Sequence, residues 1–154
     1  MMYSVRKMLY LYTQIPERIA GRLDEIKYLE SALRSARDTL KPQRITGMVV
    51  SGGGISDPTY DAVRRIVDDV ERRMSKLEQD IKNYLLVQFQ VEEAVSDLTL
   101  EEQHIIDLRY GVAFGFGRIA KELKYSRRQC YRIHDEAFVK VSKVIDKLRE
   151  GEGI

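Results

Sequence analysis

An all-α fold is what this sequence predicts, and three observations predict it. Ten positions, Val63, Val67, Val70, Met74, Leu77, Ile81, Tyr84, Gln88, Val91 and Val95, alternate steps of four and three without a slip, the seam of one long amphipathic helix. A second stripe, Ile19, Leu23, Ile26, Leu29, Leu33, Ala36 and Leu40, repeats the pattern upstream. Downstream, Thr99 precedes Glu102 by three residues and Ser126 precedes Gln129 by three, the signature of a capped helix start. These signals predict a long, coiled-coil-like N-terminal helical hairpin over residues 1–96 and a module of short helices over 97–150.

Taken in chain order, the first helical segment runs from Ser4 to Leu40, about 55 Å at 1.5 Å per residue. Pro16 disfavours helix at Ile15, so a kink or split is expected there. Residues 41–57, rich in glycine and polar side chains, read as a connector. Its glycine triplet is followed by no Lys-Ser/Thr pair and preceded by no strand, which argues against a phosphate-binding loop. Asp57 then caps the second long helix and Pro58 takes its first position, where a missing N–H costs nothing. That helix, 57–95, measures about 57 Å, so the two stripes match in length and are suited to pair antiparallel. Gln88, the polar member of the seam, either pins the register from inside or lies at the seam's edge.

In LTLEEQHIIDLRYG, Thr99 caps a short helix that runs to about Tyr110 and ends at Gly111. FGRIAKEL forms another over 116–123, with Gly115 at its capping position. Three residues later Ser126 opens a helix beginning at Arg127. At about 100° per residue, Cys130, Ile133, Ala137 and Val141 share one sector, while Arg127, Arg128, Tyr131, Arg132 and Asp135 share the opposite one.

Composition narrows the function classes. The chain has 154 residues, a formal net charge of +2, 44% hydrophobic and 32% charged residues and no Trp, a balance that favours charge-laced helices over fibrous or low-complexity architecture. A single cysteine forms no internal disulfide and suits a reducing, cytoplasmic setting. The apolar run near the N-terminus is too short for a membrane span and lacks a small-residue cleavage site, which argues against secretion. Residues 61–103 hold 6 Lys/Arg against 11 Asp/Glu, whereas 104–149 hold 11 against 5, so the mild total conceals an acidic middle and a basic C-terminal third. The basic third has the sign required for a polyanion.

Short helix, tight turn and a second helix with a cationic outer face make up the helix-turn-helix layout, and duplex DNA is the partner it suits. The planar fork of arginine donates two parallel hydrogen bonds to guanine O6 and N7, worth about 1 to 3 kcal/mol of discrimination. Arg127, Arg128 and Arg132, with Gln129 beside them, occupy the first turns of the second helix, the part that enters the major groove. Tyr131 is suited to donate to a phosphate or pack on a thymine methyl, and Arg118, Lys121 and Lys124 to hold the phosphate backbone.

At these residues a resemblance becomes specific. LTLEEQHIIDLRYG followed by FGRIAKELKYSRRQCYRIHDEAFVKV resembles region four of bacterial sigma factors, in which a helix ending in an Arg-Tyr pair precedes the helix-turn-helix. The whole chain resembles a family of phage and prophage proteins of Gram-positive bacteria that join a helical hairpin to a YSRRxxYRxH core. That core is matched by Tyr125, Ser126, Arg127, Arg128, Tyr131, Arg132 and His134. The family is similar to the late transcription regulators of ArpU and RinA type, and the resemblance implies transcriptional control. Two positions depart from its pattern: Lys124 stands where such turns often carry glycine, and Gly115 with Gly117 replace polar helix-starting residues.

Rival readings remain. Cys130 and His134, spaced i, i+4, lack further metal ligands, and His104 reads as a helix-surface residue; no metal or cofactor is expected. The carboxylate pairs Asp68/Asp69 and Glu92/Glu93 imply no cleft, so an enzyme is not expected. A viral DNA-packaging small subunit also joins a helix-turn-helix to an oligomerising coiled coil, and a sigma-like accessory factor would dock its hairpin on RNA polymerase. The hairpin also offers a surface for a homodimer or higher homo-oligomer.

Overall fold

A computed structural model describes residues 2–40 and 58–152. The connector 41–57 and the Asp57 cap lie outside the described residues. Every regular element among the described residues is helical: α1 (Val5–Tyr12), α2 (Ile15–Leu40), α3 (Pro58–Ser96), α4 (Leu100–Ile106), a π-helical turn (Asp107–Gly111), α5 (Phe116–Leu123) and α6 (Arg127–Glu152). No helix among them is long and apolar enough to cross a membrane.

The first segment is two helices. Ser4 Oγ accepts from the Lys7 N–H at 3.3 Å to start α1, which ends at Tyr12. After Thr13 and Gln14 the chain restarts, and Gln14 O accepts from Arg18 N at 3.0 Å. Pro16 therefore sits inside the first turn of α2, where its missing N–H has no intrahelical acceptor to lose, and Ile15 is helical.

Two compact units divide the chain: Met1–Arg18 with Asn83–Ile154, and Ile19–Lys82. This partition differs from the boundary read at residue 96, because a helix that is continuous in sequence contributes to both units.

Within Ile19–Lys82, Ile26 and Leu33 of α2 and Val67 and Leu77 of α3 are buried. Ion pairs Arg22–Asp80 (3.3 Å), Arg73–Glu25 (2.9 Å) and Arg37–Glu71 (2.7 Å) follow α2 forward as they follow α3 backward, an antiparallel register. Leu23, assigned to the α2 stripe by its spacing, is 45% exposed, while its neighbours Arg22 and Glu25 are half-buried and take the cross-helix contacts.

In the other unit, the seam of α3 broadens, with Tyr84, Val87, Val91 and Ala94 all buried. Gln88 lies at the seam's edge, half-buried and donating to Glu92 Oε1 at 3.3 Å; the buried polar residue is Gln90. Helices α4, α5 and α6 enclose a core of Ile105, Ile119, Ala120, Cys130 and Ile133, flanked by Leu108, Phe114, Phe116, Leu123 and Tyr125. Helix α1 closes against α6, where Arg149 donates to Tyr3 O and to Met8 Sδ.

Candidate nucleic-acid interface

Helices α5 and α6 are joined by Lys124, Tyr125 and Ser126. Lys124 adopts φ 57°, ψ 37°, the left-handed region in which a Cβ is unfavourable, so the turn keeps the backbone that glycine usually supplies. Its N–H returns to Ala120 O, and Tyr125 N donates to the same carbonyl at 3.1 Å, which ends α5 abruptly. Ser126 then starts α6, its Oγ accepting from Gln129 N at 3.1 Å. At α4, Thr99 Oγ1 accepts from Glu102 N at 3.3 Å and donates to Glu102 Oε1 at 3.0 Å. No side chain caps α5 at Gly115.

The two faces of α6 divide as its spacing requires. Cys130, Ile133, Ala137 and Val141 are buried, whereas Arg127, Arg128, Tyr131, Arg132 and Asp135 are exposed and Gln129 is half-buried. Ser126, Arg128, Gln129 and Arg132 line one open surface groove. Arg118, Lys121 and Lys124 are exposed on α5 and the turn.

Two of the arginines are held rather than free. Arg118 stacks its guanidinium 3.9 Å from the centroid of Phe114. Arg127 folds back over α5, where a Cβ on Gly117 would come within 2.8 Å of Arg127 Nη2. The absence of a side chain at Gly117 thus makes the seat for Arg127, a role its helix-weakening chemistry does not suggest.

Charge compensation by ion pairs is found at four arginines of α2 and α3 and not at this surface. Arg22, Arg37, Arg72 and Arg73 each meet a carboxylate within 3.3 Å. Arg118, Lys121, Lys124, Arg127, Arg128 and Arg132 form no ion pair among the described residues. Six uncompensated cations on one short helix, its turn and the next two helical turns make a strongly positive patch.

Sequence reasoning missed the scaffold behind the patch. Phe116 stacks on Tyr131 with ring centroids 4.2 Å apart, and Arg109 covers Phe116 at 4.7 Å while donating to Phe114 O at 3.1 Å. Tyr131, though 49% exposed, is therefore braced on its inner face. His134 is buried at 7% exposure, with Nε2 2.7 Å from Tyr110 Oη and Nδ1 3.1 Å from Asp135 Oδ1. Both ring nitrogens thus have hydrogen-bond partners within the protein. The i, i+4 spacing from Cys130 was the signal that His134 faces inward. Glu102, also buried, accepts from Lys140 Nζ at 2.7 Å and so ties α4 to α6. Burial by itself would raise its carboxyl, but the hydrogen bonds from Lys140 and Thr99 and the lysine charge outweigh that and hold it below the usual carboxylate range.

Compared with family models, curated proteins and solved structures, the chain matches none.

Proposed function

We propose that this chain is a sequence-specific DNA-binding transcriptional regulator of the phage and prophage late-gene type, in which α5 and α6 act as a helix-turn-helix resembling sigma region four. The observation that carries the reading is the clustering around the α5–α6 turn of six exposed cations that form no ion pair among the described residues. Uncompensated cations on a protein surface repel one another, and a polyanion relieves that repulsion by releasing its own counterions.

In this reading Arg128, Gln129 and Arg132, which share one groove with the capping Ser126, meet base edges in the major groove. Lys121 and Lys124 hold phosphates, and Tyr131, braced by Phe116, offers a rigid ring edge to the groove. Arg127 and Arg118, already docked on Gly117 and Phe114, set the outline of the surface and reach backbone phosphates from those seats.

The test is binding to a site selected from random duplexes and to a scrambled one across several salt concentrations. Alanine at Arg128 or Arg132 is expected to cost about 1 to 3 kcal/mol on the selected site and far less on the scrambled one. Alanine at Lys121 is expected to weaken both alike and reduce the salt slope by about one. Wild-type protein that shows no preference between the two duplexes refutes the sequence-reading role. A many-subunit ring under native conditions favours DNA packaging instead, and pull-down by RNA polymerase without DNA favours an accessory factor.

A further inference from the structure

We infer that the cavity bounded by α1, the C-terminal end of α3 and the α4–π segment is a binding site for an organic cation, an alkylammonium or alkylguanidinium head on a short apolar stem. The cavity has a volume of about 310 Å³, within the range of small-ligand pockets, and lies wholly within the Met1–Arg18 and Asn83–Ile154 unit. The inference does not depend on the DNA-binding reading.

Its floor is apolar and fixed: Leu9, Val91 and Ile106 are each at most 3% exposed. Its polar edge is anionic, since Glu92 and Asp107 both line it and, among the described residues, no Lys, Arg or His does. Tyr12 donates to Glu92 Oε1 at 3.1 Å, and Gln88 Nε2 reaches the same oxygen at 3.3 Å, so this carboxylate is held in place by neutral donors. Burial, Glu92 and Asp107 together push the Tyr12 hydroxyl above its ordinary value, as expected of a group facing two carboxylates. Burial likewise raises the Asp107 carboxyl, with His104 opposing it.

Helix dipoles add to this field. Helix α1 ends at Tyr12, α3 at Ser96 and the π turn at Gly111, and residues from all three ends line the cavity. The negative ends of helices favour cations, yet neither α1 nor α3 carries a basic residue in its last turn. The end of α3 is capped by a neutral group instead: Gln103 Nε2 donates to Val95 O at 3.1 Å and to Leu98 O at 3.3 Å. Arg109, in the last turn of the π segment, is turned toward Phe114 O and the Phe116 ring. Three helix C-termini and two carboxylates therefore surround an apolar hollow, with Arg6, hydrogen-bonded to Tyr110, as a neighbouring cation outside the lining. The complementary ligand places its charge at Glu92 and Asp107 and its stem against Leu9, Val91 and Ile106. A free amine supplies this chemistry, and so does a Lys or Arg side chain of a partner protein.

The experiment titrates the full chain with n-butylguanidinium and follows the methyl resonances of Leu9, Val91 and Ile106. 1-Butanol supplies the stem without charge, and guanidinium the head without a stem. Saturable shifts are expected with butylguanidinium, with affinity falling about tenfold in Glu92→Gln and in Asp107→Asn. Glu92→Gln retains an oxygen to accept from Tyr12, and Asp107→Asn is a second, independent removal of charge. A capped Gly-Arg-Gly tripeptide that binds more tightly than butylguanidinium supports the site with a partner side chain as its source; equal or weaker binding supports it with a free amine. Absence of saturable shifts, equal binding of butanol, or unchanged affinity in both variants overturns the inference.

Discussion

Tyr110→Phe removes one oxygen from the interior and leaves the ring, which makes it a probe of how the π turn is fastened to α6, with the double variant separating the His134 contact from that of Arg6. Tyr110 and His134 are 4% and 7% exposed, and Tyr110 Oη lies 2.7 Å from His134 Nε2. The carboxylate of Asp135, 3.1 Å from Nδ1, only accepts, so Nδ1 carries a proton, and Nε2 is the nitrogen that meets the tyrosine hydroxyl. Deleting the hydroxyl leaves a buried ring nitrogen without its partner and also removes a hydrogen bond with Arg6, a loss of about 1 to 3 kcal/mol. Ring packing is retained, because the edge contact with Tyr10 at 4.8 Å and the stacking on His134 at 5.7 Å need only the ring. In a chain of this size each kcal/mol corresponds to about 2 to 4 °C, so the midpoint is expected to fall by about 2 to 12 °C. The assay is thermal and urea unfolding of Tyr110→Phe, His134→Phe and the double variant. Replacing both partners by apolar rings is expected to cost less than the two single changes together. A wild-type midpoint for Tyr110→Phe, or single costs that add within about 0.5 kcal/mol, refutes the hydrogen bond as a fastening.

Three further outcomes are expected. Ser126→Ala removes the acceptor for Gln129 N, costs about 1 kcal/mol, and accelerates hydrogen exchange over residues 127–130; unchanged exchange there contradicts the cap. Gly117→Ala stabilises α5 by about 0.5 to 1 kcal/mol while its Cβ displaces the Arg127 guanidinium, seen as a higher melting temperature with a shifted Arg127 Nε resonance; an unmoved resonance means that Arg127 is not seated there. Because the folded-state carboxyl of Glu102 is depressed, its contribution to stability is present above the ordinary carboxylate range and is lost as pH falls through the lower folded value. Lys140→Met is expected to raise the Glu102 titration midpoint, and its stability deficit relative to wild type to shrink in acid; carboxyl NMR titration checks the first, and identical midpoints would refute the pairing.

Local signals determined the helices and their starts. Ser126 and Thr99 cap where the three-residue spacing to Gln129 and Glu102 places them, because a cap is satisfied by the N–H groups of the next turn and needs no distant partner. The division of α6 into a buried Cys130/Ile133/Ala137/Val141 face and a cationic face was equally legible, since a helix fixes the angle between its residues. The split at Gln14 was readable from Pro16 in kind but not in position, because proline is excluded from helix interiors and admitted to the first turn.

Tertiary structure decided what those faces do to one another. That His134 faces Tyr110, that Arg127 lies on Gly117 and that Glu102 meets Lys140 follow from packing between residues 10 to 38 apart in sequence, which no local period encodes, and Arg118 reaches Phe114 across the start of α5. Leu23 shows the same limit from the other side: the α2 period includes it, but the partner helix covers only a strip narrower than that period, so Leu23 remains exposed while Arg22 and Glu25 reach across. The sequence by itself established an all-α chain with a basic C-terminal third, because periodicity and charge are properties of residues in order. Which cations stay uncompensated, and which helix ends meet around a hollow, depends on what each group finds beside it once the chain is folded.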